Sequence, residues 1–148
     1  MTSPAQPGID PRGPRFGAAL SSVLLLTAVL LGHSAAGLVV LAVVVASFAL
    51  GALRGVGGTW QGLLYQRLVR PRLDPPEDTE DPAPPRFAQL VGLIITGIGL
   101  VLALLGLSWA VPVFAGIALA AAFLNAAFGF CLGCEVYLIG RRLAASRA

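Results

Sequence analysis

Four long stretches of this chain carry no charged side chain: residues 16–32, 36–53, 88–107 and 109–130, the last continuing less strictly to about residue 140. A helix crosses the hydrocarbon core of a bilayer in about 20 residues. The first two runs sit at the short end of that range and the last two fill it. All are too long and too uniformly apolar for half-exposed strands. Backbone polar groups in lipid must be satisfied within the segment, which selects helices, and the alternation of a transmembrane barrel is missing. The reading is therefore all-α: a four-helix transmembrane bundle. Composition agrees, with 57% apolar and 11% charged residues against about 25% charged in soluble domains. The first run has a basic flank, but it exceeds a signal-peptide core of about 7–15 residues, and a second span follows almost at once. It is read as a span that is kept.

The positive charges set an orientation. All ten are arginines: Arg12, Arg15, Arg54, Arg67, Arg70, Arg72, Arg86, Arg141, Arg142 and Arg147. They fall in the N-terminal segment, in the connection between runs two and three, or in the C-terminal tail, and the two short turns carry none. Positive charge collects on the cytoplasmic side. Both termini and the long connection are thus expected in the cytoplasm, with the chain in the cell membrane and the bilayer as its first partner. No basic, aromatic-bearing soluble segment is long enough to bind nucleic acid.

Asp10-Pro11-Arg12-Gly13-Pro14-Arg15-Phe16 matches Asp81-Pro82-Ala83-Pro84-Pro85-Arg86-Phe87 at five of seven positions. Each copy leads into an apolar run that ends Leu-Leu-Gly. Further on, Gly58, Leu63, Arg67 and Leu68 align with Gly133, Leu138, Arg142 and Leu143. The pattern points to two repeated helical hairpins in parallel orientation. Residues 1–15 and the tail at 141–148 are expected outside the bundle, the former disordered. Residues 54–87 are expected to hold a short helix in the headgroup layer around Trp60, Leu63, Leu64 and Leu68, and then an extended proline-rich acidic linker. Gly92, Thr96, Gly97 and Gly99, with the alanines at 118 and 120–122, permit close helix approach.

The chain's two cysteines form Cys131-Leu132-Gly133-Cys134, followed by Glu135. If the fourth helix runs on through them, both thiols share one face, with Glu135 a turn from Cys131. A C-x-x-C pair suits thiol exchange, one thiolate attacking and the other resolving, and sulfur relay through a persulfide uses the same parts. A late position in a helix, with Glu135 beside it, opposes thiolate formation. Simple packing of two small apolar-tolerant side chains and metal binding both stay open, though two thiolates need further ligands. By the repeat register, Val56 and Thr59 occupy the equivalent places in the first half. The thiols are expected to be reduced at rest in the cytoplasm. Asn125 is read as a tie between helices and His33 as a solvated turn residue. No cofactor motif, phosphate-binding glycine loop or hydrolytic triad is present, so no stand-alone enzyme is read.

The stretch Asn125-Ala126-Ala127-Phe128-Gly129-Phe130-Cys131-Leu132-Gly133-Cys134-Glu135-Val136-Tyr137, with the Asp10–Phe16 motif and Leu68-Val69-Arg70-Pro71-Arg72-Leu73, resembles the DUF4395 family of bacterial, especially actinobacterial, membrane proteins. The resemblance covers nearly the whole chain. It implies a setting beside thioredoxin-like proteins and rhodanese-type sulfurtransferases, and Cys131 and Cys134 as working residues with Glu135 adjacent. The leading expectation is a membrane component of thiol redox or sulfur handling. The alternatives are a small-solute transporter and a non-catalytic membrane anchor; assembly as a homo-oligomer stays open.

Overall fold

The computed structural model describes residues 7–147. Within them the chain forms six α-helices: α1 (Arg12–Leu31), α2 (Ala35–Arg54), α3 (Trp60–Leu64), α4 (Ala83–Leu104), α5 (Ala110–Phe128) and α6 (Leu132–Ser146). Helix α3 continues into a π-helical turn over Tyr65–Val69 and a 3-10 turn over Arg70–Arg72. Helices α1, α2, α4 and α5 are long and apolar enough to cross a membrane. Among the described residues there is no strand, only an isolated antiparallel bridge between Ile9 and Glu80.

That bridge fixes how the hairpins relate. Ile9 and Glu80 exchange two backbone hydrogen bonds of 2.9 Å each, so the N-termini of α1 and α4 lie at the same end. Both hairpins therefore enter from that end and turn at the other. The helix starts are built alike. The Asp10 carboxylate accepts the Arg12 N–H at 3.0 Å, and the Asp81 carboxylate accepts the Ala83 N–H at 2.9 Å. Each satisfies an N–H that the first turn leaves without an intrahelical partner. The turns at the far end use Gly32 (φ 56°) and Gly106 (φ 99°).

Helices α1 and α5 pack together along their length, as do α2 and α4; with the two hairpin contacts this closes a four-membered ring. Exchanging the hairpins maps every one of these contacts onto another. The arginines obey the same exchange. Arg15 donates to the Ala126 carbonyl at the end of α5 (3.4 Å), and Arg86 donates to the Ala52 and Leu53 carbonyls at the end of α2 (2.7 and 2.9 Å). Each covers carbonyls that a helix C-terminus leaves free.

Small residues dominate the interior: Ala28, Ala103, Ala110, Ala115 and Ala118 are buried with Leu25, Leu41, Val44 and Val111. Of the small residues noted in the third run, Gly92 receives the Phe48 ring and Gly99 the Phe114 side chain, whereas Gly97 meets nothing within 4 Å. Thr96 is fully buried and bonds back to the Gly92 carbonyl at 2.7 Å. Large apolar side chains such as Val39, Ile94, Val101 and Ile117 point outward. Small inside and large outside is the pattern expected where the surrounding solvent is lipid.

Several boundaries differ from the sequence reading. Residues 1–6 of the segment expected to be disordered lie outside the described residues, and the helix begins at Arg12. Asp10 is tied in: it accepts from Arg12 and from the Tyr65 hydroxyl at 2.7 Å, and Arg12 reaches the Asp74 carbonyl at 2.9 Å. The acidic linker is thus held at both Asp74 and Glu80. Helix α3 is separate from α2, which ends before Gly55 (φ 81°), and it docks into the bundle, with the Trp60 indole donating to Ser47 at 2.7 Å. The largest difference lies in the fourth run, which does not continue through the cysteines.

Candidate functional site: a thiol pair at a helix start

Helix α5 stops at Phe128 because Gly129 takes a left-handed conformation (φ 68°), with its N–H on the Asn125 carbonyl at 2.9 Å. Glycine adopts that conformation without steric cost, and it is the usual way for a helix to end. Phe130 and Cys131 carry the chain across a short break. Cys131 is extended (φ −90°, ψ 103°) and serves as the N-cap of α6. Its Sγ accepts the Cys134 N–H at 3.3 Å, and its carbonyl accepts the Glu135 N–H at 3.0 Å. The two cysteines stand at disulfide distance, with Cα atoms 5.2 Å apart.

This corrects the expectation that the pair sits late in a helix. A helix N-terminus presents unpaired N–H groups and the positive end of the macrodipole. The field that was expected to oppose a thiolate at Cys131 instead favours one, and the Cys134 N–H points at the sulfur that would carry the charge. Glu135 lies exposed in the first turn of α6, so its carboxylate opposes that effect through solvent.

Two contacts hold α6 against α4, and a third, within α6, backs the Tyr137 ring. Gly133 lies against α4: a Cβ there would come within 2.6 Å of the Ala88 Cβ. Tyr137 packs on Phe87 with ring centroids 5.5 Å apart, and the Arg141 guanidinium lies 6.0 Å from the Tyr137 ring centre. Arg15 of α1 supports the break before α6. Besides bonding Ala126, its guanidinium passes 3.6 Å from where a Gly129 side chain would begin.

The first half offers the matching place without the chemistry. Thr59 is the N-cap of α3, and its hydroxyl accepts the Gly62 N–H at 3.0 Å. Tyr65 packs on Phe16 at 5.8 Å, as Tyr137 packs on Phe87. The structure therefore sets Thr59 opposite Cys131 and Gly62 opposite Cys134, three residues from the register read in the sequence. That register had set Thr59 against Cys134 and Val56 against Cys131. The breaks account for two of those three residues. Gly55 and Gly129 end their helices at equivalent points, but three residues lie between Gly55 and the N-cap Thr59 and only one lies between Gly129 and Cys131.

Other expected residues fall elsewhere. His33 is exposed in the turn at the far end. Asn125 contributes its backbone carbonyl to the Gly129 closure, and among the described residues its side chain makes no hydrogen bond to another helix. No cluster of three His, Cys, Asp or Glu side chains forms a metal-binding group among the described residues. Sequence reasoning missed the roles of Arg15 and Asp10, although both belong to the repeated motif. It also missed Gln61, which is buried against Ser21 with Nε2 to Oγ at 3.5 Å.

Fold and site together define an all-α bundle of two like-oriented hairpins, with a C-x-x-C pair capping a short helix at the open end. A family model described as "Domain of unknown function (DUF4395)" matches residues 9–142. The chain belongs to the DUF4395 family. No curated protein matches, and no solved structure does.

Proposed function

We propose that this chain is a multi-pass component of the cell membrane that carries out thiol redox or sulfur exchange through Cys131 and Cys134. The partner in this reading is a soluble thioredoxin-like or rhodanese-type protein. The observation that carries it is the cap: Cys131 begins α6 with its sulfur on the Cys134 N–H. That environment stabilises a thiolate, and the second thiol stands within disulfide reach.

The redox step runs in two exchanges. The Cys131 thiolate attacks one sulfur of a partner disulfide, forming a mixed disulfide and releasing the partner's other sulfur as a thiolate. Cys134, its proton lost to water, then attacks the Cys131 sulfur. The internal disulfide forms and the second partner thiolate leaves, so two electrons have passed from the pair to the partner. In sulfur relay, Cys131 takes the outer sulfur of a partner persulfide and the partner thiolate leaves. Cys134 then attacks the Cys131 sulfur and expels hydrosulfide.

The arginine distribution supports placing the open end, and with it both termini and the thiols, in the cytoplasm. We also infer that the hairpins descend from one duplicated unit. The paired aspartates, arginines and positive-φ glycines support this, as does the exchange of contacts described above. Only the second unit carries thiols, as a specialised site would.

The test pairs chemistry with growth. Mass spectrometry after oxidant and then reductant treatment of membranes should find Cys131 and Cys134 moving together between linked and free. Cys131→Ser and Cys134→Ser strains should each lose fitness on restrictive sulfur sources or under oxidant. A pair that never changes state, together with serine variants that grow as the parent does, rejects the reading.

A further inference from the structure

Helix α6 has three distinct sides. One packs on α4 through Gly133 and Tyr137. A second carries Leu132, Val136, Ile139 and Leu143, spaced four, three and four residues apart, which lines them up along the helix. Nothing in the described chain covers them: they are 40%, 57%, 52% and 57% exposed. The third side, opposite that stripe on a wheel of about 3.6 residues per turn, holds Cys134 and Arg141.

We propose that the stripe is seated in the lipid surface, so that α6 is an interfacial helix which turns the thiol pair toward water. This goes beyond the thiol chemistry and rests on the reading that the bundle spans a membrane. Two observations choose lipid as the occupant. Exposed apolar side chains also line the approach to the stripe, with Phe123 and Phe128 on α5 and Phe130 in the break. The helix is also charged for a headgroup layer. After Glu135 its remaining charged residues are Arg141 and Arg142, with Arg147 at its C-cap, and these match anionic lipid and repel the same arginines of a second copy. An amphipathic helix of this kind buries its apolar side at the acyl boundary and leaves its cationic side among phosphates. Seated so, α6 keeps the Cys134 side facing water, where a soluble partner can approach.

Site-directed spin labelling tests this in the full chain. Single labels replace Val136, Ile139, Leu143 or Arg142, with Ile117 on α5 as a bundle reference, in a Cys131→Ser/Cys134→Ser background. The vesicles are phosphatidylcholine with phosphatidylglycerol, or phosphatidylcholine alone. The stripe labels should collide more with oxygen than with a water-soluble nickel chelate, as Ile117 does, and Arg142 should show the reverse. Omitting phosphatidylglycerol should lower the contrast at Leu143. A second measurement keeps both cysteines: a Leu143→Trp chain with Trp60→Phe and Trp109→Phe should lose fluorescence to brominated acyl chains. The proposal is overturned if the stripe labels behave like Arg142 while Ile117 stays lipid-exposed. It is equally overturned if the stripe labels show spin coupling that dilution with unlabelled protein removes, since a second copy would then be the cover. If Ile117 itself is water-exposed, the membrane reading fails instead.

Discussion

Two residues act as anchors, one in each half. Gly133 lets α6 lie directly on Ala88, and Gly133→Ala would place a methyl 2.6 Å from the Ala88 Cβ. Overpacking of this sort costs about 1–3 kcal/mol. A lower melting temperature in detergent is expected, and Ala88→Gly should not restore it, because the added methyl also lies 2.7 Å from the Ala88 Cα. Asp10 is the other kind of anchor. Arg12, chiefly through its side-chain hydrogen bonds, holds the Asp10 carboxyl at a pKa of about 2, below the ordinary 3.8. A carboxylate whose pKa is depressed on folding adds stability that is complete above its unfolded value. The Asp10 contribution is thus full above 3.8 and disappears as pH falls to about 2. Thermal melts of the parent and Asp10→Asn should therefore differ near neutral pH and converge in acid. Neither role could be read from residue type alone. Asp10 and Asp81 are identical in the repeated motif, yet only Asp10 also receives the Tyr65 hydroxyl.

At the scale of elements, the break at Gly129 decides whether the cysteines begin a helix or lie inside one. The four spans were legible because lipid-crossing helices write their length into long uncharged runs. The break was not, because Phe128-Gly129-Phe130 is as apolar as the helix before it, and one glycine inside an apolar run reads as tolerated. Its left-handed φ of 68° is the physical signal, and it is a backbone property. An alanine in that conformation costs about 1–2 kcal/mol. Gly129→Ala should therefore favour a continuous α5–α6 helix, moving the cysteines from a helix start to a helix interior. The expected readout is slower alkylation of Cys131 near neutral pH, measured in the reduced protein against a Gly140→Ala control in the middle of α6.

Across the whole molecule, the two halves differ in detail while sharing a plan. The motif repeat was visible in sequence, but the register around the thiols was not, because the two breaks differ in length and the residues within them share no identity. The shared plan makes its own prediction. Arg15 and Arg86 each cover the end of the other hairpin's second helix. Arg15→Gln and Arg86→Gln should therefore lower the melting temperature to a similar extent, while only Arg15→Gln, beside Gly129, should also change Cys131 reactivity. Equal effects of both on the thiol would place the support for α6 elsewhere. All of this converges on one quantity, the acidity of the thiol that begins α6. The direct measurement is the pH dependence of iodoacetamide alkylation at Cys131 in the reduced Cys134→Ser protein. A helix-capping cysteine should titrate well below the ordinary value of about 8.5; a midpoint at or above that value would contradict an activated thiol at the start of α6.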